Sequence, residues 1–159
     1  IYAEIAGFGM SADAHHLTMP LTTGAAKAMR LSLEDGGINK EDVGYVNAHG
    51  TATAANDTME AAAIGLVFRD HTKNIGVSST KSMVGHSLGA AGAIEAAATV
   101  LGLHHSILPP NANFTELDPE CEIDVIANTA REKTVDAAIS NSFAFGGLNA
   151  VLAFRRWQG

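Results

Sequence analysis

The apolar positions along the chain follow two periods. Alternating or short continuous apolar runs at 1–8, 43–47, 75–78, 137–142 and 149–156 predict five strands. Between them, apolar residues three and four apart predict three helices, from Thr22/Thr23 to Leu33, over 57–68, and from Leu88 to His104. The first strand is expected to close in a Gly7-Phe8-Gly9 turn. Thr22 or Thr23 is placed to cap the first helix, and Gly36-Gly37 to stop it. Asn56 or Asp57 is placed to cap the second, whose apolar side carries Met59, Ala63, Leu66 and Val67. The third helix is small on nearly every side, with Gly89, Gly92 and a run of alanines. Each glycine weakens it by up to ~1 kcal/mol against alanine, so packing must compensate and a central, buried helix is expected. Pro109-Pro110 forbids its continuation, and 109–136 reads as an extended connection with two acidic turns. Strands alternating with helices predict an α/β protein, with helices layered on a mixed, mostly parallel sheet.

Composition narrows the function classes. A hydrophobic fraction of 47% over 159 residues supplies a core, and the length fits one domain or half of a larger one. A net charge of -7 argues against binding nucleic acid. The single cysteine excludes a disulfide framework and a multi-thiolate metal site, and suits a reducing, cytoplasmic compartment. No apolar run approaches the ~18–20 residues that cross a bilayer, so no membrane partner is expected. The opening Ile1-Tyr2-Ala3-Glu4-Ile5 already reads as a strand, which predicts that the chain starts partway through a larger protein.

Three patterns carry candidate chemistry. Gly7-Phe8-Gly9-Met10-Ser11-Ala12 matches the dinucleotide fingerprint after a strand. The context fails, because His15 to Pro20 make a poor first helical turn and the acidic pair Glu34-Asp35 ends a helix. Gly85-His86-Ser87-Leu88-Gly89 matches the serine-hydrolase elbow and is followed by a helix. Its triad order fails, since Asp118, Asp124 and Asp136 all lie beyond the last histidine, His105. The third pattern is a constellation. His49 and His86 each follow a predicted strand on a glycine-rich loop. Strand C-termini of a parallel sheet share one edge, where ligands bind, so the two imidazoles can converge there. Phe145-Gly146-Gly147 closes toward the same edge and could present backbone N–H groups to an oxyanion.

Three long stretches resemble one family. They are Asn47-Ala48-His49-Gly50-Thr51-Ala52-Thr53, Ser79 to Gly92 around Lys81 and Gly85-His86, and Asn141-Ser142-Phe143-Ala144-Phe145-Gly146-Gly147. Together, and in this order, they look like the β-ketoacyl-acyl-carrier-protein synthases, condensing enzymes of the thiolase fold. The resemblance spans the whole chain but only the C-terminal half of a family member, with residues 1–20 expected to be the tail of the preceding half. It implies a decarboxylating Claisen condensation of an acyl thioester with malonyl carrier protein. It implies no cofactor, acyl carrier protein as partner, a homodimer when complete, and a nucleophilic cysteine in the missing N-terminal half. Cys121, in the acidic Asp118-Pro119-Glu120-Cys121-Glu122, matches no nucleophile motif. By matching motifs, His49 and His86 would stabilise the enolate, and Lys81 would support the His86 loop by pairing with Glu60. Thr51, Thr53 and Thr18 would line the phosphopantetheine channel, and Phe145 would gate the cysteine. Asn47, Glu95, Asn141 and Ser142 would form a buried polar cluster behind the site.

Two positions depart from the family pattern. Ala144 stands where the gate loop usually has glycine, and its methyl is expected to stiffen the gate by disfavouring positive φ. Leu148 replaces a usual threonine. The competing functions are a non-catalytic partner of the chain-length-factor type, a degradative thiolase and the serine hydrolase. Retention of both histidines argues against the first, and the absence of a second C-terminal cysteine against the second.

Overall fold

β1 (Ala3–Ala12) runs straight through Gly7-Phe8-Gly9 in the computed structural model, which describes residues 1–159. The expected turn is absent for a packing reason. A Cβ on Gly7 would lie 2.2 Å from the carbonyl oxygen of Ser32, and one on Gly9 2.1 Å from that of Ala28. Both oxygens belong to α1 (Thr22–Asp35), so the glycines let strand and helix backbones touch. The dinucleotide pattern thus lies wholly inside a strand and opens no helix.

β1 pairs antiparallel with β8 (Leu148–Arg156), and β8 pairs antiparallel with β7 (Ala137–Ala144). β2 (Val43–Asn47), β3 (Gly76–Ser78) and β5 (Asp124–Val125) continue the sheet in parallel. The six-stranded order is β1-β8-β7-β2-β3-β5, a mixed and mostly parallel sheet as the alternation predicts. β4 (Ile107–Leu108) and β6 (Arg131–Glu132) form a small separate ladder. The 109–136 connection therefore supplies the sheet's last strand as well as extended chain.

α1 and α2 (Ala54–Phe68) cover one face of the sheet, where Met29, Ile64 and Phe68 pack with Val46, Ile139 and Val151. α4 (Ala91–His105) covers part of the other, where Leu103 packs with Tyr45, Ala138 and Phe154. Tyr45 and Val46 point to opposite faces, as strand period demands. Each large apolar side chain buried this way contributes about 1.5–3 kcal/mol.

Four boundaries differ from expectation. α1 has Leu21 at its N-cap position and no side-chain cap; instead the Leu21 N–H donates to Asp13 Oδ2 at 2.7 Å. α2 begins at Ala54, with Asn56 inside it. A one-turn helix, α3 (Lys81–Val84), interrupts the 79–90 loop, and the third predicted helix begins at Ala91 after a 3-10 turn. α4 is not central either, since Ile94 and Leu101 stand on an exposed side. Its buried stripe, Ala91-Glu95-Thr99-Leu103 with Gly102, faces the sheet.

The β1–β8 half of that second face is uncovered. Phe8 and Met10 are 48% and 54% exposed, and Leu148 beside them is also open. They share this side with Leu152, which packs toward the α4 cluster opposite Phe8. No helix is long and apolar enough to cross a membrane.

Candidate active site

His49 lies two residues beyond β2, and His86 two residues beyond α3. Gly85 makes the second placement possible, because its φ of +75° ends α3 in a conformation that L side chains rarely adopt. The imidazole centroids are 5.6 Å apart with planes at 85°, and His49 also lies 5.8 Å from the ring of Phe143. Both histidines line a cavity of about 940 Å³. His49 is 8% exposed whereas His86 is open to the cavity. Burial, and then the charge of Lys81 and the neighbouring His86, push the His49 pKa down to about 3, so its ring is neutral at neutral pH. The Leu88 N–H donates to His86 Nδ1 at 3.2 Å, which leaves the proton of neutral His86 on Nε2. His49 Nδ1 is buried without a partner, so Nε2 is its cavity-facing nitrogen.

Two buried carboxylates hold these turns. Glu60 accepts from the backbone N–H groups of His49 (2.8 Å) and Gly50 (2.9 Å), and from the side-chain amides of Asn56 (3.2 Å) and Asn141 (2.9 Å). Burial raises its pKa, and these four donors oppose the rise. Glu95 pairs with Lys81, both buried. Burial raises the Glu95 pKa too, opposed by the Lys81 hydrogen bond and charge. The pairing expected between Lys81 and Glu60 is therefore not the one formed. Lys81 opens α3 and reaches across to α4, whereas Glu60 points into the 49–50 turn. The expected single polar cluster divides in the same way. Asn47 donates to the Glu95 carbonyl (3.1 Å) and Thr99 Oγ1 (3.2 Å), while Asn141 joins Glu60. Ser142, half-buried, lines the cavity.

Thr18, Thr51 and Thr53 also line the cavity, with the hydroxyls of Thr51 and Thr53 3.0 Å apart. Phe145 stands 79% exposed at its edge. The turn after it is carried by Gly146 and Gly147, at φ of +83° and +74°. Gly146 N–H donates to the Leu17 carbonyl and Asp13 N–H to that of Gly147, both at 2.8 Å. Asn149 Nδ2 donates to Asp13 Oδ1 at 2.8 Å, completing the tie between this turn and the 13–21 segment. Ala144 closes β7 opposite Leu148 and is not at positive φ, so its methyl is unstrained here.

Residues 2–115 match the family described as beta-ketoacyl synthase, C-terminal domain. The chain belongs to the β-ketoacyl synthases. It is 53% identical over 156 residues to nodulation protein E of Rhizobium sp. (strain N33), covering 98% of this chain and 39% of that protein. It is 50% identical over 158 residues to 3-oxoacyl-[acyl-carrier-protein] synthase 2 of Coxiella burnetii (strain RSA 493 / Nine Mile phase I), covering 98% and 38%. Among solved structures, a ketosynthase bound to its type II PKS acyl-carrier protein superposes with a TM-score of 0.95 at 34% identity, covering 99% of this chain and 39% of that one. The chain thus spans about two fifths of the length of these synthases, at 38–39%.

In this synthase domain the hydrolase elbow has no base. Ser87 Oγ makes no hydrogen bond with any histidine, and α3 rather than a strand precedes it. His104 and His105 lie at the far end of α4, about 20 Å along the helix axis. Phe143, Asn56, Asp13 and Asn149 join the site without having been assigned to it from sequence. Asn56 had one readable signal, its position four residues before Glu60 on a helix. The ties of Asp13 to residues 147 and 149 are long-range and had none.

Proposed function

We propose that this chain is the histidine-bearing part of a 3-oxoacyl-[acyl-carrier-protein] synthase. The observation that carries the reading is the pair of imidazoles 5.6 Å apart on one cavity wall, one of them held neutral by burial. Two Nε2–H donors suit an oxygen that gains negative charge, and a largely apolar cavity strengthens them.

A malonyl thioester on the phosphopantetheine arm of acyl carrier protein enters past Thr18, Thr51 and Thr53. Its carboxylate leaves as CO2, and the electrons of the broken C–C bond pass into the thioester as an enolate. His49 and His86 donate to the enolate oxygen. The enolate carbon attacks the carbonyl carbon of an acyl-cysteine thioester, whose oxyanion meets the backbone N–H of Phe145. The cysteine sulfur leaves as thiolate, and a 3-oxoacyl thioester remains on the carrier. The Lys81–Glu95 pair keeps the His86 loop in place during these steps.

The nucleophile is not Cys121. That thiol is buried, is absent from the cavity lining, and has its pKa raised by burial and then by Asp118, Asp57 and Glu120. The cysteine belongs to the part of the synthase outside this chain, which would also cover the bare Phe8, Met10 and Leu148 face. In the full-length enzyme, His49→Ala and His86→Ala should each abolish CO2 release from malonyl carrier protein. Acyl loading onto the cysteine should survive in at least one of them. Radiolabelled acyl transfer measured beside CO2 release tests this, and undiminished CO2 release from both variants would falsify the reading.

A further inference from the structure

We propose that Asn56 is a substrate-binding residue of this channel, its Oδ1 accepting a hydrogen bond from an amide N–H of the pantetheine arm. The inference rests on the carrier-protein reading above and adds a contact to it.

Asn56 is only 7% exposed, and its orientation is forced. Nδ2 lies 3.0 Å from Asp57 Oδ1 and 3.2 Å from Glu60 Oε2. Both neighbours are carboxylate oxygens, which accept and do not donate. Reversing the amide would set oxygen against oxygen twice. Oδ1 is therefore fixed on the other side of the side chain, where it has no partner. It is not sealed in the core, because the buried polar side-chain atoms without partners belong to other residues, His49, Thr72, Glu95, Asn141 and Asn149. Asn56 instead lines the cavity beside His49, Thr51 and Thr53. The wall there presents a rigid, unpaired acceptor that needs an N–H from whatever enters.

The pantetheine arm carries two secondary amides, each with one N–H. A mostly apolar cavity makes an unmet N–H costly, so an acceptor at a fixed point gives both affinity and register. Thr51 and Thr53 hydroxyls can donate to the amide carbonyls but are not obliged to accept. Asn56 Oδ1 can only accept, and it is tied through Glu60 to the turn that carries His49. Seating an amide N–H on it therefore sets the distance from arm to imidazole.

The test compares three substrates in the full-length synthase: malonyl-pantetheine and two analogues in which one amide or the other is replaced by an ester. The parent enzyme should lose about tenfold in kcat/KM for one of the two esters. Asn56→Ala should treat that ester and the amide alike. A purely structural role would slow all three substrates by one factor and leave the parental ratio intact in the variant, which overturns the proposal. If Asn56→Ala does not fold, the parent decides alone, since equal turnover of the amide and both esters overturns it too. Failure of the underlying function has a different signature, no CO2 release from malonyl-pantetheine by the parent itself, and would remove both.

Discussion

His49 rides on a turn bonded directly to Glu60, whereas His86 rides on an exposed loop anchored through the Lys81–Glu95 pair at its base. In the first case a buried carboxylate takes four N–H groups, two of them from the histidine's own backbone and its neighbour's. No countercharge is needed, and the main chain that carries the ring is itself fixed. In the second case two side chains meet between α3 and α4, and the ring lies five residues beyond the lysine. One histidine is positioned by hydrogen bonds to its own backbone, the other through an ion pair that orders a loop. The difference follows burial. His49 is enclosed and neutral, and His86 is free to meet what enters the cavity.

The largest expected effect comes from removing the Glu60 carboxylate. Glu60→Ala leaves four N–H donors without an acceptor in the core and should cost about 4 kcal/mol or more. Urea unfolding of the full-length protein measures it, and a loss under about 1 kcal/mol would show that water replaces the carboxylate. Breaking the other anchor, with Lys81→Met, should cost about 3–5 kcal/mol by leaving a buried charge unpaired. Replacing both partners, with Lys81→Met and Glu95→Leu, should recover most of that loss. A double-mutant cycle without coupling would remove the contrast between the two anchors.

The next effect is a pH dependence. The folded His49 pKa of about 3 lies below the unfolded value near 6.5, so the unfolded chain binds more protons between them. Stability from this group is whole above about pH 6.5 and is lost as pH falls toward about 3. At pH 4 the loss should be roughly 2 kcal/mol after allowance for solvent screening. His49→Phe should flatten that acid limb in stability measured from pH 7 to 4. The smallest effect belongs to Ser87→Ala, which should stay within about 0.5 kcal/mol of the parent and keep CO2 release near parental. Loss of activity there would reopen the hydrolase elbow.

The strands at 43–47, 137–142 and 149–156 were legible because a short apolar or alternating run has a period distinct from that of a helix. The α1 stop was legible from Gly36-Gly37, and Gly37 does adopt a φ of +56°. Gly7-Phe8-Gly9 misled, because a glycine that admits a neighbouring backbone reads like one that makes a turn. The Ala-rich helix misled in a related way. Small residues mark the possibility of close approach, and only its sheet-facing stripe uses it.

The main strands and helices, the α/β class and the two histidines on glycine-flanked turns were determined by sequence alone, since periodicity and turn chemistry act over a few residues, whereas the short α3, β4, β5 and β6 were not. The tertiary structure decided which carboxylate meets which donor. Lys81 is 14 residues from Glu95 and Glu60 is 81 residues from Asn141, and no local pattern ranks such partners. Asn56 is the local exception, since both carboxylates that fix its amide, Asp57 and Glu60, lie within four residues of it on α2, and the tertiary structure decided only that this helix borders the cavity. Buried polar groups must be satisfied, but with whom is settled only when the whole sheet has closed around them.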